Sequence, residues 1–530
     1  MAPTAAKAAA TAADRIQTAI DVKSYKPFYK RRNGILLYFL LSSSFLSSLA
    51  SGFDGSMTNS MQLLERWQDD FGHPKGLSLG LFGASTSIGG VVPLIFFGWT
   101  GDYFGRRFGT VIGALLIICG AFVEAWAKTL AVYTGGKVIL GAGASFVQTG
   151  APVLITEMSH PKERAVVTSL YNTSVVLGFV IGAWVTFGSI RIDSVWQWRL
   201  PTLLQAVPSV YQLVLIYFSP ESPRWLIAHN HEDRARELLV QFHGECDPNS
   251  ELVDLEVDEI KQAIMMDREN NMSWREFFGS KANLKRIALC TAVACFSQST
   301  GNLLISNFLD QILEDTGLKT NFQKTMVNGM VTLWQYLVSM ATGLLIDRFP
   351  RRYFFLGGCG ASLVTFVVWT IAAKEFSVDG SLPAGRLVIV CIFLYQAFYT
   401  VAWVNLVVTY PLEIVNYQMR AKAWTYTLLV IQCSQIFGNY VNPVGMGAIG
   451  WKFYIYICVW TFVAWLVVYF FFPETRGPTL EELALLFEGG GNVLGHNHKM
   501  SLVHSSVGLA QKEGADVEHE EKDSRGDKVN

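Results

Sequence analysis

The stretch GlyTrpThrGlyAspTyrPheGlyArgArg at residues 98–107 returns as GlyLeuLeuIleAspArgPheProArgArg at 343–352. Both read Gly-x3-Asp-x3-Arg-Arg, 245 residues apart. Two further motifs repeat in the same order at nearly the same offset. Glu157 and Arg164, spaced Glu-x6-Arg, return as Glu413 and Arg420, 256 residues on. ProGluSerProArg at 220–224 returns as ProGluThrArg at 473–476, 253 residues on. Each motif follows an apolar stretch of membrane length. One order and one offset make the chain two halves of like orientation with six spans each. Parallel six-span halves are a transporter arrangement.

The apolar stretches run near 34–58, 77–100, 108–127, 130–154, 166–188, 199–219, 285–311, 325–346, 353–373, 386–410, 424–446 and 449–472. The reading is therefore an all-α membrane protein with twelve transmembrane helices. The 530 residues are 51% apolar and 16% charged, with a mean hydropathy of +0.30. Soluble domains carry about 25% charged residues. Twelve spans of about 22 residues take up roughly half the chain. This composition excludes an ordinary soluble enzyme. The net charge of −1 offers nucleic acid no attraction. No catalytic triad, HExxH, nucleotide loop or Cys/His ligand spacing is present, so no enzyme chemistry, metal or cofactor is expected.

The organisation follows from these runs. Residues 1–33 form a polar N-terminal segment, 34–219 the first half, and 220–284 a polar central loop. Residues 285–472 form the second half and 473–530 a tail ending in a charged, low-complexity run expected to be disordered. Apolar spacing within 251–270 predicts a short amphipathic helix. Positive charge concentrates before span 1 (Lys26, Lys30, Arg31, Arg32) and in the even-numbered connections, which places both termini and the central loop in the cytosol.

Ionisable groups at membrane depth usually pair or serve function. Asp54 in span 1 and Lys137 in span 4 form the expected pair. Protonating the carboxyl would abolish the attraction and let the two helices part, which is a proton switch. Glu124 and Asp310 lie near span ends and read as snorkelling groups. The repeated charges read as two lattices on the cytosolic side. Asp102, Arg106, Arg107, Glu157, Arg164, Glu221 and Arg224 serve the first half. Asp347, Arg351, Arg352, Glu413, Arg420, Glu474 and Arg476 serve the second. Their expected role is a latch that closes the inner side of an outward-facing state. Pro350 stands where the first loop has Gly105.

These motifs, with ProGluSerProArgTrpLeu at 220–226 and ProGluThrArgGlyProThrLeuGluGluLeu at 473–483, resemble the sugar porter family of the major facilitator superfamily over residues 34–484. GlyPheAspGlySer (52–56), TyrProLeuGluIle (410–414) and AsnTyrValAsnProValGly (439–445) resemble its fungal lactose-permease-like branch. The resemblance implies a monomeric, proton-coupled carrier in the plasma membrane, taking up a disaccharide or related glycoside by alternating access. The proton gradient would supply the energy, and small molecule and lipid bilayer would be its partners.

A sugar asks for neutral donors and acceptors and an aromatic face. Gln298 and Asn302 in span 7 share a face of a continuous helix at i and i+4. Asn307 lies farther along. Gln205 in span 6, Trp403 and Asn405 in span 10, and Asn439 and Asn442 in span 11 are the other candidates. The resemblance supports Gln298, Asn302 and Asn439 most. Ser297 stands where many sugar porters have a second Gln, and Asn307-Phe308 where the branch has a Tyr pair. Span 10 has Asn405 and Val407 in place of Pro and Gln, and span 4 has Lys137 where the family has Arg. Such changes imply an altered ligand. Two other readings stay open: a carrier or exporter of a non-sugar polar metabolite on this fold, and a non-transporting sugar sensor.

Overall fold

The computed structural model describes residues 28–476, apart from 245, 270–272, 315, 319, 347 and 416–418, together with Phe487. The side chains of 28, 97–100, 102, 165, 166, 169, 172 and 266–269 are outside that description. The N-terminal segment up to residue 27 and nearly all of the tail therefore lie outside the described residues.

Each apolar run folds as a helix, because only a helix satisfies its own backbone polar groups in hydrocarbon. Spans 1 to 5 are Arg32–Ser60, Leu77–Phe104, Arg106–Ala125, Leu130–Met158 and Arg164–Ser189. Span 6 is two segments, Trp196–Leu204 and Val207–Phe218. Span 7 is also two, Lys281–Ser299 and Asn302–Glu314. Spans 8 and 9 are Asn321–Leu345 and Arg351–Asp379. Span 10 runs from Leu382–Tyr399 through a π-helical turn, Thr400–Val404, to Leu406–Ile414. Spans 11 and 12 are Arg420–Ile449 and Phe453–Phe471. Most overrun their apolar stretch by a few residues at one end or both. Span 8 carries Thr325, Asn328, Thr332, Gln335 and Ser339. Those polar residues are buried.

The outside of the bundle is apolar. Val92, Ile95, Leu115, Val364, Ile371 and Val459 are all exposed, as a lipid-facing surface requires. The eight cysteines are unpaired; Cys290, Cys359 and Cys391 are buried, while Cys119 and Cys433 face outward. Two seams join the halves, span 2 against span 11 and span 5 against span 8. Between the seams, spans 1 and 7 meet.

Span 7 breaks at Gly301, whose φ of +106° lies in the region that glycine alone enters freely. A side chain there would also strike the Phe366 ring, whose Cζ lies 2.5 Å from the Cβ position. This break separates Gln298 from Asn302, so the continuous face expected for that pair does not exist. Discontinuous helices in transporters expose polar groups at the centre of the bundle, and the π turn of span 10 is a second such irregularity.

The central loop folds as four short helices, Pro223–Ala228, Glu232–Phe242, Glu251–Glu269 and Trp274–Gly279. The third is the amphipathic helix expected there. His243 ties this loop to span 4. Its Nδ1 is 2.7 Å from Glu256 Oε2 and its Nε2 is 3.2 Å from the Met158 carbonyl. Both partners accept, so both ring nitrogens donate and the ring is an imidazolium. Burial pulls its pKa down, but the Glu256 carboxylate and the two hydrogen bonds outweigh it and hold the pKa above the ordinary 6.5. The neighbouring His160 is pushed down to about 3 by burial and then by the His243 charge, and stays neutral.

A raised folded pKa contributes stability that is complete below the unfolded value and lost as pH rises through the folded one. Proteolysis within 232–269 should therefore accelerate as pH rises above 6.5. His243→Gln should remove that dependence. A flat profile in the unmodified protein would contradict the tether.

Candidate functional site

A small pocket lies where the halves meet. Ser56 and Asn59 of span 1 and Phe179 of span 5 line it from the first half. Ile305, Ser306 and Leu309 of span 7, Asn328, Val331, Thr332 and Gln335 of span 8, and Gln396 of span 10 line it from the second. None of these side chains is ionisable. Four carboxamides, three hydroxyls and one aromatic ring make a wall suited to a neutral polyhydroxylated ligand. Two buried atoms of these lining residues, Ser56 Oγ and Gln396 Oε1, have no hydrogen-bond partner among the described residues. They belong to opposite halves.

One end of the bundle carries the arginine motifs and the central loop, and is called here the basic end. At the opposite end, hydrogen bonds bridge the halves. Asn59 Nδ2 donates to Asn328 Oδ1 at 2.9 Å, and Asn328 Nδ2 donates to Ser60 Oγ at 3.2 Å. Gln62 Nε2 donates to the Asn307 carbonyl at 2.7 Å. Asn439 Nδ2 donates to the Gly83 carbonyl at 3.0 Å, while Asn439 Oδ1 accepts from Asn307 Nδ2 at 2.6 Å. At the basic end, the ion pairs of Arg106 with Glu157 and of Arg351 with Glu413 each lie within one half. The cavity is thus closed off at the end away from the arginines.

Asp54 and Lys137 meet as expected, with Nζ 3.5 Å from Oδ1. The ammonium is only 1% exposed. It also donates to Thr58 Oγ1 at 2.8 Å and lies 5.1 Å from the centre of the Phe82 ring. Asp54 and Thr58 occupy the same helix as Ser56 and Asn59, so the ion pair and the cavity wall share span 1.

At the basic end the two halves repeat one construction. Glu221 accepts from the backbone N–H groups of Arg106 and Arg107 at 3.1 and 3.3 Å, capping the start of span 3. Glu474 accepts from those of Arg351 and Arg352 at 2.9 and 3.0 Å, capping span 9. A carboxylate is favoured at this end of a helix. Burial pushes the Glu221 carboxyl above its ordinary value, against the pull of those hydrogen bonds. Arg106 pairs with Glu157 at 3.6 Å, and Arg351 with Glu413 at 3.5 Å. Ser222 Oγ donates to Glu157, and Thr475 Oγ1 to Glu413. Arg107 and Arg352 donate to the Tyr217 and Tyr469 carbonyls.

Arg164 and Arg420 begin spans 5 and 11, and Arg224 lies in the first loop helix. Arg476 donates from its backbone to Glu474 at 2.9 Å. Asp347 and the side chain of Asp102 lie outside the described residues. The lattices fasten helices of one half to each other.

The residues expected around a ligand are dispersed. Gln298 Oε1 accepts from Gln435 Nε2 at 3.3 Å, and Gln435 Oε1 accepts from Ser87 Oγ at 2.7 Å, a link into the first half. Asn302 accepts from the cavity residue Ser306 at 3.2 Å. Asn307 and Asn439 belong to the closed end. Asn405 exchanges hydrogen bonds with Ser339 of span 8. Trp403 is buried against Phe296 and Phe355 inside the second half, and Asn442 is buried on span 11. Gln205 holds Glu124 instead of facing the cavity.

Two charged groups depart from the snorkelling expected of them. Glu124 is 1% exposed, and Asp310 pairs at 2.8 Å with Lys324, which is itself buried. Span-end position alone did not show that each has a buried partner on a neighbouring helix. Gln335 and Gln396 were missed as well. Span 8 did carry a signal, since Thr325, Asn328, Thr332, Gln335 and Ser339 recur at helical spacing and all are buried.

A two-half bundle with a neutral central cavity closed at one end defines a carrier. A family model described as sugar (and other) transporter matches residues 40–487, and the chain belongs to that family. It is a multi-pass membrane transporter, not an enzyme. The sugar transporter STL1 of Saccharomyces cerevisiae is 27% identical over 476 residues, covering 85% of this chain and 81% of the relative. A high-affinity glucose transporter of Kluyveromyces lactis is 28% identical over 486 residues, covering 87% of each. The inward-open xylose transporter XylE of E. coli superposes with a TM-score of 0.70 at 21% identity, over 85% of this chain and 99% of XylE, and shares the fold. The narrower lactose-permease-like resemblance gives way to the family as a whole, since the similar proteins are named for sugar, glucose and hexose.

Proposed function

We propose that the protein is a proton-coupled carrier of a neutral monosaccharide-sized sugar, working by alternating access with its basic end in the cytosol. The observation that carries this reading is the cavity wall. Ser56 and Gln396 present unpartnered polar atoms from opposite halves. A ligand with several hydroxyls would satisfy both and draw the halves together. The glucose, hexose and xylose named for the similar proteins favour a monosaccharide over the disaccharide first expected.

With positive charge inside, the bridged end is extracellular and the structure is inward-facing. The arginine lattices would keep each half rigid as it rocks, and would meet across the halves to close the inner side of the outward-facing state. Asp54 and Lys137 would link protonation to movement of span 1, which bears part of the sugar site.

Uptake should be measured in a transport-deficient cell, with and without an inward proton gradient, for glucose, galactose, xylose, a polyol, lactose and cellobiose. Gradient-dependent accumulation of a monosaccharide is the expected result. Gln335→Ala and Gln396→Ala should each raise KM roughly 3- to 10-fold, the worth of one net hydrogen bond of 0.5–1.5 kcal/mol. Uptake of none of the panel, with protein at the cell surface, would overturn the sugar reading.

A further inference from the structure

Behind the Asp54–Lys137 pair lies a second carboxyl. Glu124 ends span 3 deep in the first half, and Gly136 of span 4 makes room for it. A Cβ at Gly136 would come within 2.7 Å of Glu124 Cγ. The next residue on span 4 is Lys137. The charged groups acting on Glu124 are Lys137 of span 4 and Asp54 of span 1, and the Tyr133 hydroxyl of span 4 is within hydrogen-bonding reach of it.

From span 6, Gln205 Nε2 donates to Glu124 Oε2 at 3.0 Å. Two buried oxygens of this pair, Glu124 Oε1 and Gln205 Oε1, make no hydrogen bond of ordinary geometry. Unsatisfied buried acceptors are costly. A proton on Glu124 Oε1 removes the cost at both atoms. The carboxylic acid then donates to Gln205 Oε1 while accepting from Gln205 Nε2, a cyclic acid–amide pair.

We propose that Glu124 is a second proton-binding group of the carrier, exchanging a proton with Asp54 so that Lys137 changes partner. The proton leaves Glu124 Oε1 and binds the Asp54 carboxylate. Glu124 becomes the anion and Asp54 the neutral acid, and the net charge of the three groups is unchanged. Lys137 then pairs with Glu124, beside it between spans 3 and 4. Span 1, which carries Ser56 and Asn59 of the cavity wall, is released from span 4. Buried charge is compensated in both arrangements, so neither state pays for a bare ammonium.

This rests on the proton-coupled reading, and the test separates the two. Glu124→Gln keeps the shape and can pair amide to amide with Gln205, so the variant should reach the cell surface. Its inside-to-outside accumulation ratio under a proton gradient should fall to unity while counterflow of labelled sugar continues. The double variant Glu124→Gln/Gln205→Glu returns a carboxyl to the same pair from span 6 and should recover accumulation. In infrared difference spectra of the purified protein, the carbonyl band of a protonated buried carboxyl should be present in wild type and lost in Glu124→Gln.

If Asp54→Asn abolishes accumulation while Glu124→Gln leaves it and its pH profile intact, the Glu124 inference fails and proton coupling stands. If wild type never accumulates sugar against its gradient, both fail together. An unchanged infrared band in Glu124→Gln overturns the assignment of the proton to this residue, whatever transport shows.

Discussion

Asp54→Asn should abolish uphill accumulation of sugar and leave exchange across the membrane running. The carboxylate and the Lys137 ammonium are 3.5 Å apart in surroundings that exclude water. Charge attraction is strong there, because the local dielectric is low. An amide keeps the shape of the carboxyl but carries no charge and takes up no proton. On the proposed mechanism the link between proton and helix movement is then cut, while the cavity-lining residues Ser56 and Asn59 remain in place.

Removing one member of a buried ion pair typically costs about 3–5 kcal/mol. Here Lys137 retains its hydrogen bond to Thr58 and its position over the Phe82 ring. The variant should therefore fold with a lowered melting temperature. Accumulation ratio, counterflow and surface expression, measured together, decide the matter. Uphill accumulation at the wild-type level would refute a coupling role for Asp54.

The second large effect is structural. Gly52 of span 1 lies so close to span 5 that an added Cβ would sit 1.9 Å from the Val175 carbonyl oxygen. Gly178 of span 5 returns the contact, with a Cβ there 2.2 Å from the Leu49 carbonyl oxygen. The obstacle in each case is backbone, which cannot rotate away. Small residues at helix crossings are how membrane helices approach closely. This crossing sets the depth of Asp54, two residues on.

Gly52→Ala should cost about 3 kcal/mol or more, at or above the usual upper end for overpacking. It should also reduce the amount of folded carrier at the surface. Gly188→Ala on span 5, where a Cβ meets nothing within 4 Å, is the control and should be tolerated. Equal melting temperatures for the two variants would show that the crossing can relax.

Much of this architecture was legible in the chain. Spans of the required length need only local apolarity, and the repeat of Asp-x3-Arg-Arg, Glu-x6-Arg and ProGlu motifs marks two equivalent halves. The cap formed by Glu221 on span 3 and by Glu474 on span 9 repeats because the same short motifs meet the same helix starts. Asp54 and Lys137 were matched by charge, since each needed a partner at membrane depth and few were available.

The cavity was not legible in the same way. A carboxamide in an apolar helix must find a partner, but it can find one on a neighbouring helix, across the halves or in a ligand. Asn307 and Asn439 found each other and closed one end. Gln205 found Glu124. Gln396 kept an open acceptor at the cavity. No spacing along one helix distinguishes these outcomes. Gly301 also broke the helix on which the spacing of Gln298 and Asn302 relied.

By itself the sequence determined the twelve spans, the two like halves, the charged motifs that cap and brace them, and the need for a buried ion pair. Those follow from local hydrophobicity, helix-end chemistry and the cost of a lone charge in hydrocarbon, all of which are read within one segment. Only the tertiary structure decided which polar groups bridge the halves, which line the cavity, and that a second carboxyl stands behind Lys137. Those depend on how helices far apart in the chain pack together, because a buried hydrogen bond is settled by whichever group lies within 3 Å and not by the residue's place in the sequence.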